Sequence, residues 1–99
     1  MTNYQRGYKA ERELMEVLLG RGYYVMRAGG SRGSADLLAG DGRKVLAIQV
    51  KRNASPFSMQ ERMALTHFAD AFRGLAILAR RINGGEWIIT DMANTRFLL

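Results

Sequence analysis

Two apolar runs flank a turn in residues 35–52, which read ADLLAGDGRKVLAIQVKR. The first run extends from Ala35 to Ala39 and the second from Lys44 to Arg52. The Asp41-Gly42 pair between them is a strong signal for a tight turn that joins antiparallel strands. This stretch therefore predicts a β-hairpin.

The polar side chains of the second strand are predicted to lie on one face, because alternate residues of a strand point to opposite sides. Gln49 and Lys51 share that face. A two-residue turn at Asp41-Gly42 pairs Asp36 with Ala47 across the hairpin. Asp36 then lies diagonally from Gln49 on the same face, and the two Cα atoms are about 7–8 Å apart.

This predicted spacing has two interpretations. A gap of that size suits a cation that bridges two oxygen side chains, as Mg²⁺ is held in proteins. Lys51 would then point its ammonium at the attacking water or the scissile phosphate. Alternatively, Asp36 belongs to a turn, and Gln49 and Lys51 form a solvated sheet face. For the spacing taken alone, the second interpretation is the more common one, because strands with one polar face are ordinary.

The segments around the hairpin predict two helices and three further strands. Each is recognised from apolar periodicity and from glycine or capping residues at its ends. The predicted elements are a helix from Gln5 to Arg21, a strand from Tyr23 to Ala28, a loop from Gly29 to Ser34, a second helix after Ser55-Pro56 or after the Ser58-Met59-Gln60-Glu61 capping box and ending at Gly74, and strands from Leu75 to Arg80 and from Glu86 to Thr90.

The order of these elements is αβββαβ with one more strand, which predicts a small α/β domain with a mixed central sheet flanked by helices. With 99 residues we expect one domain, residues 1–99, with a core small enough for a partner subunit to help stabilise it. The apolar Phe97 to Leu99 segment is expected to dock on this subunit or on another.

The charge balance favours a polyanionic partner. Fifteen Lys and Arg residues stand against nine Asp and Glu residues, a net charge of +6. Nucleic acid is the favoured partner, and charge kept for solubility is the alternative. The absence of cysteine excludes disulfides, zinc–cysteine centres and thiol catalysis, so that a metal must be held by oxygen ligands or by His67. No run is apolar enough for a membrane span or a secretory signal, and we expect an intracellular, cytoplasmic protein.

Five segments in one collinear order resemble the archaeal-type Holliday junction resolvases, members of the PD-(D/E)xK nuclease superfamily. The likeness extends through the second helix, Ser58 to Phe72, and its closing Arg73-Gly74. The segments that carry it are Lys9-Ala10-Glu11-Arg12-Glu13-Leu14, Gly22-Tyr23, Val25-Met26-Arg27-Ala28-Gly29-Gly30-Ser31, Asp36-Leu37-Leu38-Ala39-Gly40 and Leu46-Ala47-Ile48-Gln49-Val50-Lys51.

The resemblance implies a restriction-endonuclease-like core and a metal-dependent active site. Glu11 is implied as the helix carboxylate beside the metal, Asp36 as the principal ligand, and position 49 as a further ligand. Lys51 is implied as the catalytic lysine, and the carbonyl of Val50 completes the metal shell. The implied cofactor is Mg²⁺, with Mn²⁺ as a substitute.

The resemblance also implies residues that contact DNA. Arg12, Arg27 and Ser31 match family positions that hold the DNA backbone or support the active site. On the first helix, Arg6 and Lys9 precede Arg12 at intervals of three, which suits a phosphate-facing edge and equally suits a solvated face. Two more basic residues complete the candidate set, Arg32 and Arg52.

The implied function is hydrolysis of DNA phosphodiesters at four-way junctions, by a two-fold homodimer because one chain holds one site. The chain departs from the family motif at Ala35, where proline is common, and at Gln49, where the family has glutamate. An amide oxygen still ligates a hard cation but carries no charge to offset it. Gln49 is therefore either a tolerated variant or the mark of a weakened site. A junction-binding homologue that cuts little, and a basic adaptor that uses the fold for protein contacts, are the alternatives.

Overall fold

The computed structural model describes residues 2–29 and 33–99, and residues 3–7 by their backbone alone. The predicted α/β class is confirmed, with the element order αβββαββ. None of the helices in these ranges is both long and apolar enough to cross a membrane. The elements are α1 Asn3–Gly20, β1 Tyr24–Arg27, β2 Leu37–Gly40, β3 Val45–Arg52, α2 Met59–Ala71, β4 Leu75–Ile82 and β5 Glu86–Asp91.

The five strands form one mixed sheet in the order β1-β2-β3-β4-β5. Neighbouring strands are antiparallel except β3 and β4, which are parallel and are connected by α2. Helix α1 covers one face of the sheet, where Leu14 and Leu18 pack against Leu46 and Ile48. Helix α2 covers the opposite face, where its buried residues pack against Ala47. The centre of β3 is thus buried on both sides.

Helix α1 follows the predicted apolar spacing, and its end fixes the start of the sheet. Ala10, Leu14 and Leu18 are buried at i, i+4 and i+8, which places them along one stripe. After the helix, Gly22 takes a positive φ of 91° and Tyr23 donates its N–H to the Leu18 carbonyl at 3.1 Å. This is a Schellman ending, which glycine favours because it has no Cβ. It buries the ring of Tyr23 immediately before β1.

The hairpin between β2 and β3 exists, but its predicted register is wrong by two residues. Leu38, and not Asp36, lies opposite Ala47, and the tip of the turn is Gly42-Arg43. The Asp41 carboxylate accepts the N–H groups of Arg43 and Lys44 at 2.9 and 2.8 Å, which places Asp41 at the base of the turn. These hydrogen bonds lower the pKa of Asp41 to about 2. A shift of two residues keeps every side chain on its predicted face.

Helix α2 begins at the capping box, so that the second of its two predicted starts is confirmed. The Ser58 hydroxyl accepts the N–H of Glu61 at 3.0 Å, and the Glu61 carboxylate accepts the N–H of Ser58 at 3.1 Å. The inner face is formed by Leu65 and Ala69. Phe72 lies at the C-cap, where it is half exposed.

The end of α2 presses on the start of β3. The backbone turns at Arg73, which has a φ of 55°, and Gly74 donates its N–H to the Ala69 carbonyl at 2.8 Å. A Cβ at Gly74 would lie 2.7 Å from the carbonyl oxygen of Val45, the first residue of β3. Glycine is therefore required here for close approach of two backbones rather than for a positive φ.

The last residues pack on their own chain, which settles where the apolar end docks. Phe97 donates its N–H to the Ile89 carbonyl at 2.9 Å. Phe97 and Leu99 join the cluster beneath α1, together with Trp87, whereas Leu98 is 91% exposed.

Candidate active site

The carboxylate of Asp36 is fixed where β2 separates from β3. The Asp36 N–H donates to the Ile48 carbonyl at 2.9 Å, although Ile48 is already paired with Leu37, so that the regular ladder ends here. The N–H of Val50 then donates to Asp36 Oδ2 at 2.8 Å. The side chain thus takes the place of the next backbone partner on β2. The regular ladder ends at the Leu37–Ile48 pair, so that Asp36 lies beside Ile48 and Val50 and not opposite Ala47, the partner that the sequence predicted.

Gln49 and Lys51 lie beyond the buried centre of β3, on the same face as Asp36. Both side chains are half buried. Within the described part of the chain, the Gln49 amide has no hydrogen-bond partner. The N–H and carbonyl of one strand residue point to the same neighbour. Since the Val50 N–H points at Asp36, its carbonyl also points toward the edge that β2 has left.

Glu11 approaches this place from helix α1. Its Oε1 forms an ion pair with Arg27 Nη1 at 3.0 Å, and the Arg27 guanidinium stacks 4.0 Å above the ring of Tyr8. Burial and the negative charge of Asp36 raise the pKa of Glu11, and the positive charge of Arg27 lowers it. The negative charge of Asp36 therefore reaches the Glu11 carboxylate. The stacking partner Tyr8 was not predicted.

Lys51 is held by a residue that sequence reasoning did not place in the site. Its Nζ lies 2.7 Å from Oε2 of Glu61, in the first turn of α2. The sequence identified Glu61 only as a capping residue. A glutamate at the third position of a helix that follows a lysine-bearing strand was the one available signal.

The pKa of Asp36 is raised overall. Burial is the main cause, and the negative charge of Glu61 adds to it. The hydrogen bond from Val50 and the positive charge of Lys51 act in the opposite direction without cancelling the burial. The carboxylate is thus short of positive charge in the protein alone, and a bound cation would supply it.

Only some of the predicted DNA-contacting basic residues lie together in the structure. Lys9 and Arg52 line one cavity of about 180 Å³ with Arg81, which was not predicted and forms an ion pair with Glu13 at 2.6 Å. Arg12 is exposed on α1. Three of the candidates, Ser31, Arg32 and the side chain of Arg6, lie outside the described residues.

The donor set around Asp36 fits a hard divalent cation. The candidate donors are the carboxylates of Asp36 and Glu11, the amide oxygen of Gln49 and the carbonyl of Val50. All are oxygen donors of the kind that Mg²⁺ prefers. No group of three or more His, Cys, Asp or Glu side chains is close enough to hold a metal in residues 2–29 and 33–99. The site therefore depends on the amide, the backbone carbonyl and substrate oxygens as well as on carboxylates.

A sequence profile described as archaeal Holliday junction resolvase (Hjc) matches residues 2–96 of the chain. The chain belongs to this family. The match covers both helices and all five strands, and it includes every residue named in the site.

Two relatives of the Hjc family show the degree of similarity. The crossover junction endodeoxyribonuclease Hjc of Methanocaldococcus jannaschii is 33% identical over 84 residues, which cover 82% of this chain and 62% of the relative. The chain thus spans less than two thirds of that protein's length. The Archaeoglobus fulgidus Hjc structure, a Holliday junction resolvase, superposes with a TM-score of 0.80 at 30% identity. It covers 89% of this chain and 74% of the archaeal one.

Proposed function

We propose that the chain is a structure-selective endonuclease that binds four-way DNA junctions and cleaves their phosphodiester bonds with a divalent metal. The observation that carries the proposal is the Asp36 carboxylate, which accepts the N–H of Val50, the residue between Gln49 and Lys51, at 2.8 Å. Membership of the Hjc family and the names of its two relatives support the choice of junction DNA as substrate. Action on such DNA implies a location inside the cell.

In this proposal the chain's own residues bind and orient. Asp36, Glu11, the Gln49 amide and the Val50 carbonyl would hold Mg²⁺, or Mn²⁺ as a substitute. When bound, the cation supplies a Lewis acid that lowers the pKa of water and offsets charge on the phosphoryl group. Lys51 stabilises negative charge at the scissile phosphate or orients the nucleophile. Arg27 fixes the Glu11 carboxylate by the ion pair at 3.0 Å.

Binding of the flanking DNA is assigned to the basic residues beside the site. Lys9 and Arg52 share a cavity, Arg12 is exposed on the same helix as Lys9, and the chain has a net charge of +6. Contacts between such residues and phosphates release counterions, so that affinity falls as salt rises.

A labelled four-way junction and a matched linear duplex, each incubated with the protein with and without Mg²⁺, test the proposal. We expect salt-sensitive preference for the junction in both conditions and cutting only with Mg²⁺, because the carboxylates need a cation to act on a phosphate. Junction binding without cutting at any Mg²⁺ concentration would favour the second candidate, a junction-binding homologue that does not cut. The observation that favours this candidate is the neutral amide of Gln49 at a position where the family has a carboxylate. Absence of junction affinity would contradict both.

We also propose that the chain acts as a two-fold homodimer, because resolving a junction requires two symmetric cuts and one chain holds one site. A second copy fits the outer edge of β1. Tyr24 and Met26 are 84% and 60% exposed there, and with Leu38 and Phe72 they line an apolar groove of about 280 Å³. Apolar surface concentrated on an edge strand is typical of a protein interface.

Light scattering at micromolar concentration is expected to give about twice the chain mass of 11.1 kDa. Met26→Glu should shift the protein to the monomer, because a charge buried between two copies has no partner. Leu98→Glu is the matched control, since Leu98 is 91% exposed and far from the groove in the fold, and it should remain a dimer. A wild-type monomer that makes paired, symmetric cuts would contradict the assembly.

A further inference from the structure

One carboxylate joins the start of α2 to the lysine of the site. Oε1 of Glu61 accepts the N–H of Ser58 at 3.1 Å, and Oε2 lies 2.7 Å from Lys51 Nζ. The N–H of Glu61 in turn donates to the Ser58 hydroxyl at 3.0 Å. Each oxygen of the carboxylate therefore has a separate partner, one in the helix cap and one on β3.

This ion pair differs from an ordinary surface pair in two respects. The side chain of Lys51 is only 19% exposed, so that solvent screens the contact less than usual. The capping box orients the Glu61 side chain independently of Lys51. An exposed ion pair loses the conformational entropy of two long side chains. Here the helix cap already fixes the Glu61 side chain, so that only the entropy of Lys51 is lost.

A lysine side chain needs a fixed carboxylate partner if its ammonium is to stay in one position. Its ammonium is a compact charge on a flexible four-carbon stem, and its three donors rotate freely. Glu61 takes one of the three, and two remain for a phosphate oxygen or a water. Within the described residues the ion pair of Lys51 is with Glu61, whereas Asp36 acts on Lys51 through its charge and without an ion pair.

We propose that Glu61 is a positioning residue, which holds the ammonium of Lys51 toward the scissile phosphate. The catalytic consequence rests on the proposed function, but the restraint on Lys51 does not. Glu61 acts through Lys51 and does not itself touch the reacting atoms.

Two substitutions separate the restraint from the helix cap. Glu61→Gln keeps the capping box, because glutamine in this position also accepts the N–H of the N-cap residue, but it removes the charge that holds Lys51. Ser58→Ala removes the hydroxyl that caps α2 and leaves the Glu61 carboxylate free to hold Lys51. The second variant is the matched control for any loss of stability.

The first measurement needs neither metal nor DNA. The rate at which an amine-reactive ester acylates Lys51 is followed by peptide mass spectrometry, with Lys9 of the same molecule as the internal reference. In Glu61→Gln we expect the relative rate at Lys51 to rise roughly fivefold, the factor for loss of an interaction of moderate strength. Ser58→Ala should match the wild type. An unchanged rate in Glu61→Gln would overturn the proposal.

The second measurement is junction cutting at saturating Mg²⁺. We expect Glu61→Gln to lower kcat roughly tenfold with little change in KM, because the restraint matters in the transition state more than in binding. Ser58→Ala should lower Tm and leave kcat near the wild-type value. Faster acylation with an unchanged kcat would overturn the positioning role. If the wild type does not cut, the proposed function fails, and acylation alone decides whether Glu61 restrains Lys51.

Discussion

Asp36→Asn is expected to abolish cutting of a four-way junction, with a loss of roughly 10²- to 10³-fold or more. The substitution removes the charge that would hold the cation, but it spares the fold, because the asparagine oxygen can still accept the N–H of Val50. Junction binding should be unchanged or slightly tighter, since a carboxylate that faces a phosphate repels it when no cation lies between them.

Asp41→Asn is the matched control for this variant. Asp41 also accepts two backbone N–H groups, but at the hairpin turn, at the opposite end of β3 from Lys51. Asp41→Asn should cut junctions at the wild-type rate.

Lys51→Ala should stop cutting, with a smaller effect on the affinity for junction DNA. Undiminished cutting by Asp36→Asn would remove Asp36 from the active site, and loss of folding by circular dichroism would assign it a structural role instead.

Gln49→Glu is expected to lower the Mg²⁺ concentration for half-maximal cutting about tenfold or more. A carboxylate at a ligand position lies about 2–3 Å from the cation, where its attraction is worth several kcal/mol even at an effective dielectric near 20. Part of that gain is offset by repulsion from the Asp36 carboxylate, which accepts the N–H of the next residue, Val50. A net gain of about 1.4 kcal/mol is enough for a tenfold change.

The rate at saturating Mg²⁺ then shows what Gln49 means. A large increase in Gln49→Glu would show that Gln49 weakens the site, and little change would show that it is a tolerated variant. Gln60→Glu adds the same charge at an exposed position of α2 and should alter neither quantity. If Gln49→Glu changes neither the Mg²⁺ requirement nor the rate, position 49 does not contact the metal.

The face of the hairpin was predictable, and its register was not. Alternation along β3 depends only on the order of residues, so the face shared by Gln49 and Lys51 does not change when the pairing shifts by two. The register depends on which residues form the tip of the turn. There the Asp41 side chain accepts two N–H groups and moves the tip to Gly42-Arg43. A rule based on the Asp-Gly pair does not include that competition.

Contacts between distant elements were the other part that sequence reasoning missed. The capping box was correctly predicted, because Ser58 and Glu61 are three residues apart and their partners are local. The second oxygen of Glu61 contacts Lys51, and this contact depends on how α2 lies on β3. The stacking of Arg27 on Tyr8 is non-local in the same way. The resemblance to a known family supplied Glu11, which no local spacing would have connected with Asp36.

Helix α2 meets β3 at both ends, with Gly74 against Val45 at the start of the strand and Glu61 against Lys51 near its finish. Opening of the helix must therefore release both ends of the strand that carries Gln49 and Lys51. We therefore expect α2 and β3 to open as one cooperative unit. Their amide protons should exchange together, and the part of the active site on β3 should not open separately at a lower free energy. Substitutions that lower stability but leave α2 folded, such as Ser58→Ala, should therefore spare the chemistry, whereas unfolding of α2 would also disorder the strand that carries Gln49 and Lys51.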